Sequence, residues 1–370
     1  MRRFVILAVA MAAVFAVGWM VMRPHAPKAR APYPRPAYGE QTIFPASARP
    51  ARLLTIEAAT DVSFMRPFIE VFQKANPQVA VQYVDTLSSE LLGNARAACR
   101  RPGATPDLYL SISTDHLVEL ANSGCASPLP KAVASQAPDW AQWRREVIAF
   151  SLEPAVFVYD TRRFSPHTVP RSHPDLIEAM RADPEAWRGR IGTYDIEKSG
   201  PGYNYASFDA RQAAIYGRLI ESFGRSQVKS YCCSNLMVDA VRNGDIALAY
   251  NVQLSYAYAG QRQSRHVGVV LPSDYQAIQS RSVMVSRDAR NRADAVAFVQ
   301  ALLSPRGKAL AEAMTTPPPN GVTIGAVSET ERAGQIAVSS SQLALRDAAR
   351  RAAFIQEWRR ATRPPEAPSP

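Results

Sequence analysis

The sequence predicts two α/β lobes, each with a mostly parallel sheet flanked by helices. From residue 53 onward, short apolar segments alternate with segments of helical period, as in sheets covered on both faces. The 370-residue chain is long enough for two separate cores. The loop 165–174, interrupted by three prolines, marks the crossing to a second lobe. We expect one lobe to comprise residues 51–157 and 281–361, and the other to comprise residues 158–280.

The N-terminal region is typical of an exported protein. Arg2 and Arg3 precede the uncharged apolar run Phe4–Met22, the pattern of a secretory leader. A run of this length also approaches what is needed to span a bilayer, so a cleaved leader and an uncleaved membrane anchor both stay open. Either one predicts a periplasmic protein. Residues 23–50, rich in proline, are expected to be a linker that completes this N-terminal region (1–50), and residues 362–370 a disordered tail.

In the first lobe, polar residues follow the predicted strands. The expected strands are Leu53–Ala59, Val79–Asp85 and Asp107–Ser113, and the expected helices are Phe64–Ala75, Ser88–Arg100 and His116–Ser123. Ligands of parallel sheets bind at the carboxyl ends of the strands, where Thr60, Asp61, Ser111 and Ser113 lie. Helix capping explains each of these residues equally well.

The second lobe and the return of the chain follow the same pattern. The expected strands are Ala155–Asp160, Ile191–Asp195, Asp245–Tyr250, Val267–Leu271 and, after the return, Ser282–Ser286. The expected helices are Asp175–Arg181, one long helix from the Ser199–Gly202 turn to Phe223-Gly224, Asn235–Arg242, Ala293–Leu303, one starting at Ser304-Pro305, and 342–361.

The turn Ser199–Gly202 is the strongest local signal for binding. A Ser/Gly turn that opens a helix leaves backbone N–H groups unpaired at the positive end of the helix dipole, which favours an anion. The alternative is that Ser199 only caps the helix and the glycines only turn the chain.

Charge and motifs exclude several classes of function. The net charge of +11 is concentrated in residues 1–50 and 342–370, so the body has no basic stripe and nucleic-acid binding is not expected. The five histidines are scattered, and no HExxH, GxSxG, P-loop, CxxC or strand-linked GxGxxG motif is present. We therefore expect no enzyme, no metal and no cofactor.

The four cysteines would meet an oxidising compartment after export, and three pairings are open. Cys99 and Cys125 end successive helices on either side of a strand, so both fall at the same edge of the sheet and can bridge. Cys232 and Cys233 are adjacent, with a Cα separation of about 3.8 Å that lies below the usual disulfide range. Two buried thiols are therefore favoured at that position.

Several segments together resemble a known family. They are LLTIEAATDVSFMRPFIEVFQKANP, DLYLSISTDHLVELANSGCASPL, EPAVFVYDTRRF, RIGTYDIEKSGPGY, YCCSNLMVDAVRNGDIALAYNVQLSYA and LLSPRGKAL, spread over about residues 53–310. This chain resembles periplasmic solute-binding proteins of ABC transporters, of the ferric-iron-binding-like class, and within it the phosphoglycerate-transport regulatory branch. The resemblance implies a type II periplasmic binding fold with the ligand between the lobes, and either a transporter permease or a membrane sensor kinase as partner of a monomeric protein.

The resemblance departs from the family pattern at the iron site. Iron binders of this class use two adjacent tyrosines after a second-lobe asparagine, where this chain has Asn251-Val252-Gln253-Leu254. Tyr250, Tyr256 and Tyr258 are out of register. Because ferric iron needs anionic oxygen ligands, a small organic anion, either a carboxylate or a phosphate ester, is favoured over iron.

The ligand-binding residues expected from the strand ends and the resemblance come from both lobes. The family's anion-holding turn falls on Ser199, Gly200 and Gly202, followed by Tyr203. Thr60, Asp61, Ser111 and Ser113 face it, and Asn251 and a possible bidentate clamp, Arg281, complete the set. A hydrolase, the remaining alternative, should turn over ester substrates, which we do not expect.

Overall fold

The structure is a computed structural model, and it describes residues 41–49, 52–101, 105–326 and 337–363. The predicted leader, most of the predicted linker and nearly all of the predicted tail lie outside the described residues. No helix within the described ranges combines the length and the apolar character needed to cross a bilayer.

The first lobe is a mixed sheet with helices on its faces. Its strands are β1 (Gln41–Phe44), β2 (Arg52–Ala59), β3 (Val79–Asp85), β4 (Leu108–Ser111), β5 (Gln142–Trp143), β6 (Val147–Ala149) and β13 (Ser282–Val285), in the order β1-β3-β2-β4-β13-β6-β5. The helices are α1 (Val62–Ala75), α2 (Ser88–Cys99), α3 (Thr114–Asn122), α4 (Lys131–Ala134), α11 (Arg292–Leu303) and α12 (Pro305–Met314). A short 3-10 helix, Asp139–Ala141, precedes β5.

The second lobe has a sheet in the order β14-β11-β7-β10-β8-β9, with β12 paired to β7. Its strands are β7 (Glu153–Asp160), β8 (Ile191–Tyr194), β9 (Lys229–Tyr231), β10 (Leu248–Gln253), β11 (Val267–Val270), β12 (Ile278–Gln279) and β14 (Thr323–Ile324). The helices are α5 (His173–Ala182), α6 (Pro184–Trp187), α7 (Gly200–Asp209), α8 (Ala213–Arg225), α9 (Ser234–Asn243) and α10 (Leu254–Gln263). Separate apolar clusters pack on its two faces.

Both sheets are mixed rather than mostly parallel. In the first lobe β2 pairs in parallel with β3 and β4, and in the second lobe β8 pairs in parallel with β9 and β10. The antiparallel members include β7, on which the chain enters the second lobe, and β13, on which it returns to the first lobe. The two α/β lobes are therefore confirmed, but the parallel pairs form only part of each sheet.

Three local predictions need correction. Strand β1 lies within the predicted linker, where Thr42 pairs with Tyr83 of β3. The predicted long helix is two helices, because tight turns at Arg211 and Gln212 end α7. The buried side chain of Asp209, near this end, accepts a hydrogen bond from Asn251. Strand β7 begins inside the range assigned to the first lobe.

The last predicted helix is also placed differently. It divides into a 3-10 helix, Ser340–Arg346, and helix α13 (Ala348–Thr362). Trp358 of α13 packs in the core of the second lobe, although residues up to 361 were assigned to the first lobe. The apolar residues of this helix find their partners in α8, where the Phe223 ring lies 6.2 Å from the Trp358 ring.

All four cysteines form disulfides. Cys99 and Cys125 are bridged with a Cα separation of 5.5 Å, which confirms the expected pair. Cys232 and Cys233 are also bridged, so the prediction of two thiols there is wrong. These adjacent residues lie in the turn between β9 and α9, where the chain leaves the strand and the two sulfurs can meet.

Candidate functional site

A cavity lies between the lobes at the carboxyl ends of the strands. Its first-lobe wall comes from the residues that follow β2, β3 and β4, and its second-lobe wall from those that follow β8, β9 and β10. The lining residues are Ala59, Thr60, Asp61, Asp85, Thr86, Leu87, Ser88 and Ile112 on one side, and Tyr194, Lys198, Ser199, Pro201, Cys232, Cys233, Ser234, Gln253 and Tyr256 on the other. The cavity measures about 50 Å³. The lobes are closed on each other beside it, where the Gly200 N–H of one lobe donates to Ser88 Oγ of the other.

Five helices begin at this cavity. The residues immediately before α1, α2, α7, α9 and α10 all line it, and each of these helices has at least ten residues. Those five capping positions are Asp61, Leu87, Ser199, Cys233 and Gln253. Because each of these five helices has its positive end here, their dipoles create a positive potential between the lobes. Some first-turn N–H groups already have partners within the protein, namely those of Gly200, Gly202 and Ser255.

Three charged side chains modify this potential. Asp61 and Asp85 line the first-lobe side, and Lys198 lies at the rim of the second-lobe side, 3.7 Å from Asp195. Burial raises the pKa of Asp61, although the Tyr256 hydroxyl and the Arg281 charge act in the opposite direction. The first-lobe wall can therefore accept hydrogen bonds from hydroxyl or ammonium groups, and the second-lobe wall is the side better suited to an anionic group.

The Ser199–Gly202 turn is a helix cap beside the cavity, and its role as an anion site stays a prediction. Ser199 lines the cavity, and its hydroxyl accepts a hydrogen bond from the Gly202 N–H at 3.2 Å. The Gly200 N–H donates to Ser88 Oγ of the first lobe at 3.0 Å. A Cβ atom at Gly200 would lie 2.1 Å from Ser113 Oγ, which shows how tightly the turn packs on the opposite lobe.

Other predicted site residues lie at the interface of the lobes or behind it. Thr60 and Asp61 line the cavity, as expected for residues that follow β2. Ser111 and Ser113 are buried behind the wall, where the Ser113 N–H donates to Ser111 Oγ at 3.0 Å. The Ser113 hydroxyl has no hydrogen-bond partner among the described residues and faces Gly200.

Seven of the ten predicted residues do not line the cavity: Ser111, Ser113, Gly200, Gly202, Tyr203, Asn251 and Arg281. The last three lie farthest from their predicted role. Tyr203 is buried in the second lobe, with the Arg351 guanidinium 4.2 Å from its ring. Asn251 has a positive φ of 59° and donates inward to Asp209 at 2.8 Å. Arg281 is fully buried and pairs with Glu153 and with Ser255 Oγ, so the expected clamp is engaged within the protein.

Arg281 still contributes to the site from behind. Its guanidinium lies 5.8 Å from the ring of Tyr256, which does line the cavity, and 5.4 Å from the ring of Phe64. Burial lowers the pKa of Arg281 to about 10, so the group remains charged at neutral pH. It therefore holds the Tyr256 ring in place by a cation–π contact and favours the ionised form of the buried Asp61 carboxylate.

Most of the residues that sequence reasoning missed also follow strands. They are the polar residues after β3, β9 and β10 and additional ones after β8, namely Asp85, Thr86, Ser88, Tyr194, Lys198, Cys232, Cys233, Ser234, Gln253 and Tyr256. Two of them hold the second-lobe wall together, because Tyr194 Oη lies 2.5 Å from Ser234 Oγ. The strand-end rule would have found most of them had it been applied to every strand.

The tyrosines near the expected iron position are divided by the fold. Tyr250 is buried and donates to Asp209 at 3.0 Å, and Tyr258 lies in an apolar core. Tyr256 reaches the cavity, where its hydroxyl lies 3.5 Å from the Asp61 backbone nitrogen. Among the described residues, no group of three or more His, Cys, Asp or Glu side chains is arranged to hold a metal ion.

Two lobes that close on a polar cavity at their strand ends define a solute-binding protein. The chain belongs to the bacterial extracellular solute-binding proteins, because the model of that family matches residues 54–314. The structural relatives are substrate-binding proteins of ABC transporters and ferric-binding proteins, which share the type II periplasmic binding fold.

Three solved structures illustrate the likeness. The substrate binding protein of an ABC transporter from Agrobacterium tumefaciens has 29% identity and a TM-score of 0.80, covering 89% of this chain and 100% of its own. Iron-bound HitA from Pseudomonas aeruginosa has 16% identity and a TM-score of 0.64, with coverage of 84% and 99%. AfuA from Actinobacillus pleuropneumoniae, with fructose-6-phosphate bound, has 15% identity and a TM-score of 0.62, with coverage of 84% and 98%. No curated protein sequence matches this chain.

Proposed function

We propose that this solute-binding protein captures a small hydroxylated organic anion, a carboxylate or phosphate ester, and presents it to the permease of an ABC transporter. The observation that supports an anion most directly is the convergence of five helix N-termini on one cavity. Helix N-termini favour negative charge through both their dipoles and their free N–H groups.

The uneven charge of the cavity suggests how the ligand is oriented. The anionic group lies toward the second lobe, near the start of α7 and α9 and the rim lysine Lys198. The hydroxyl groups lie toward Asp61 and Asp85, which can accept their hydrogen bonds and would repel a second anionic group. A carboxylate offers several acceptor positions, so both can accept hydrogen bonds from ligand hydroxyl groups beside their contacts within the protein, and we favour a hydroxylated ligand over a simple inorganic anion.

Ferric ion is the second candidate, because Asp61, Asp85, Tyr194 and Tyr256 all line the cavity. Iron binding needs deprotonated tyrosines, whereas burial raises the pKa of Tyr194 to about 12 and the pKa of Tyr256 well above its usual value. Five helix N-termini also oppose a cation. Iron-bound HitA and AfuA with fructose-6-phosphate share this fold at low identity, so fold alone does not separate the two candidates. Signalling to a sensor kinase stays a prediction.

A pair of matched serine variants tests the anion site. Ser199 and Ser304 both cap a helix and both accept from the N–H of a glycine three residues later, but only Ser199 lines the cavity. Replacing either serine by alanine should lower the free energy of unfolding by about 0.5–2 kcal/mol. Ser199→Ala should also weaken binding roughly ten- to a hundred-fold, the effect of losing a hydrogen bond of about 1.5–3 kcal/mol to a charged group.

The measurement is calorimetric titration of both variants with a carboxylate or phosphate ester that stabilises the wild-type protein in a thermal-shift screen. Ser304→Ala should bind like wild type. If both variants bind equally well, Ser199 is only a helix cap and the anion lies elsewhere. If ferric citrate alone stabilises the wild type, the second candidate replaces the first.

A further inference from the structure

The C-terminal segment contacts both lobes. We call residues 337–363, which comprise the 3-10 helix Ser340–Arg346 and helix α13, the strap. In its first half, Arg346 Nε donates to Glu119 of α3 at 2.7 Å, and the Val338 N–H donates to the Trp140 carbonyl at 2.9 Å. The first half of the strap is therefore attached to the first lobe by polar contacts and by apolar ones, because Val338 is buried in the first-lobe core and Leu343 packs against it.

The second half of the strap is attached to the second lobe by apolar contacts. The Phe354 ring lies 5.6 Å from the ring of Tyr203, and Trp358 is buried in the same core. Arg363 adds an ion pair to Glu197 at 2.8 Å. Each half of the strap is therefore anchored to one lobe, so the strap links the two lobes, and Arg346 belongs to the half held by the first lobe.

One buried carboxylate joins the strap to both lobes. Asp115 of α3 accepts a hydrogen bond from Asn204 Nδ2 of α7 at 2.8 Å, across the lobe boundary. Its other oxygen lies 3.4 Å from Arg346 of the strap and 3.6 Å from His116 Nε2. Because Asp115 and Asn204 belong to different lobes, their contact exists only while the lobes are closed. The side chain of Asp115 is then only 1% exposed.

We propose that Asp115, Asn204 and Arg346 form a latch that sets the equilibrium between open and closed lobes. Asp115 and Asn204 lie outside the cavity lining, as does Arg346, so the latch acts on ligand affinity through the population of the closed state. The proposal rests on the proposed function only in that the solute binds the closed lobes; it does not depend on which solute this is.

The latch predicts the effect of removing either partner. Asn204→Ala removes the hydrogen bond between the lobes, and Arg346→Gln removes the charge that the strap brings to Asp115. Each change should shift the closed-to-open ratio about ten- to a hundred-fold toward the open form, the effect expected for a hydrogen bond to a charged group. Arg350→Gln is the matched control, because Arg350 is an exposed arginine of the strap whose backbone N–H alone takes part in a hydrogen bond, to Asp347.

Small-angle X-ray scattering of the ligand-free full chain tests the latch. Asn204→Ala and Arg346→Gln should both have a larger radius of gyration than wild type and Arg350→Gln, while circular dichroism shows that all four proteins are folded. Equal radii for the four proteins would overturn the proposal. Since no ligand is added, a failure of the anion assignment cannot produce either result, and Arg346→Gln remains informative if Asn204→Ala does not fold.

Discussion

Replacing Gly200 by alanine should prevent the lobes from closing fully. Gly200 opens α7 and sits against the first lobe, where an added Cβ would lie 2.1 Å from Ser113 Oγ, 2.9 Å from Ser88 Oγ and 3.0 Å from Ser113 Cβ. These atoms belong to short buried side chains that cannot swing far away. The same Cβ is compatible with the open form, because all three contacts come from the opposite lobe.

The size of the effect follows from the cost of overpacking. An extra methyl group in a tightly packed interior costs about 1–3 kcal/mol. Since this cost falls on the closed state alone, the closure constant and the affinity for any solute bound between the lobes should fall about five- to 150-fold. Alanine is favourable in a helix relative to glycine, so the folded second lobe itself should not be destabilised.

Two further variants make this test specific. Gly217→Ala is the matched control. Gly217 lies in α8, where an added Cβ would have no heavy atom within 4 Å among the described residues outside its own helix backbone, so this variant should bind like wild type. Adding Ser113→Gly to Gly200→Ala removes two of the three close contacts and should restore part of the affinity. Calorimetric titration with a solute that stabilises the wild type provides the measurement. Wild-type affinity for Gly200→Ala would show that the bound form does not close on this contact.

Four further predictions concern pH, the cavity charge, the disulfide and iron. Burial lowers the pKa of His116 from its usual value of 6.5, so the folded protein favours the neutral imidazole. The free energy of unfolding should therefore fall as the pH drops below 6.5, and urea titrations should show a shallower fall for His116→Asn. Asp61→Asn should bind inorganic phosphate more tightly than wild type does by calorimetry, because a repelling carboxylate is gone, and weaker binding would contradict the proposed orientation. Replacing Cys99 and Cys125, 26 residues apart, by alanine should cost about 3–4 kcal/mol in urea unfolding; a loss below 1 kcal/mol would refute this. Ferric citrate should give no tyrosinate-to-iron absorption band, and a stoichiometric coloured complex would reverse the preference for an anion.

The regular elements could be predicted because their signals are local. The boundaries of β3 agree with the alternation of apolar residues, and Ser304 caps α12 as its position before Pro305 suggested. The strand-end rule pointed to Thr60 and Asp61, and the turn at a helix start pointed to Ser199; all three line the cavity. Ligand binding by these residues stays a prediction. In these cases the neighbouring residues alone determine the backbone, so a single sequence is sufficient.

The end of β10 shows where local signals fail. The sequence predicts a strand that stops at Tyr250, whereas β10 continues through a bulge to Gln253. Asn251 takes a positive φ at this bulge, which is compensated by its buried hydrogen bond to Asp209, 42 residues away. A polar asparagine after apolar residues indicates the end of a strand, so the sequence alone does not place Gln253 in β10 or at the cavity.

Arg281 could not be assigned from sequence for a related reason. Its position on the return crossing is correct, but its partner Glu153 is 128 residues away and equally buried. Nothing near either residue shows that they pair, because a buried ion pair depends on the closed arrangement of distant strands. The pairing of the strap with both lobes was missed in the same way.

The most direct test of an anion site between the lobes is a thermal-shift comparison of matched compounds that differ in charge. The wild-type protein would be heated with glycerate and glycerol, and with fructose 6-phosphate and fructose, at equal concentrations, with ferric citrate as a separate sample. We predict that at least one anion raises the melting temperature while its uncharged partner does not, because the five helix N-termini act on charge. Equal stabilisation by charged and uncharged members, or stabilisation by ferric citrate alone, would contradict the anion site.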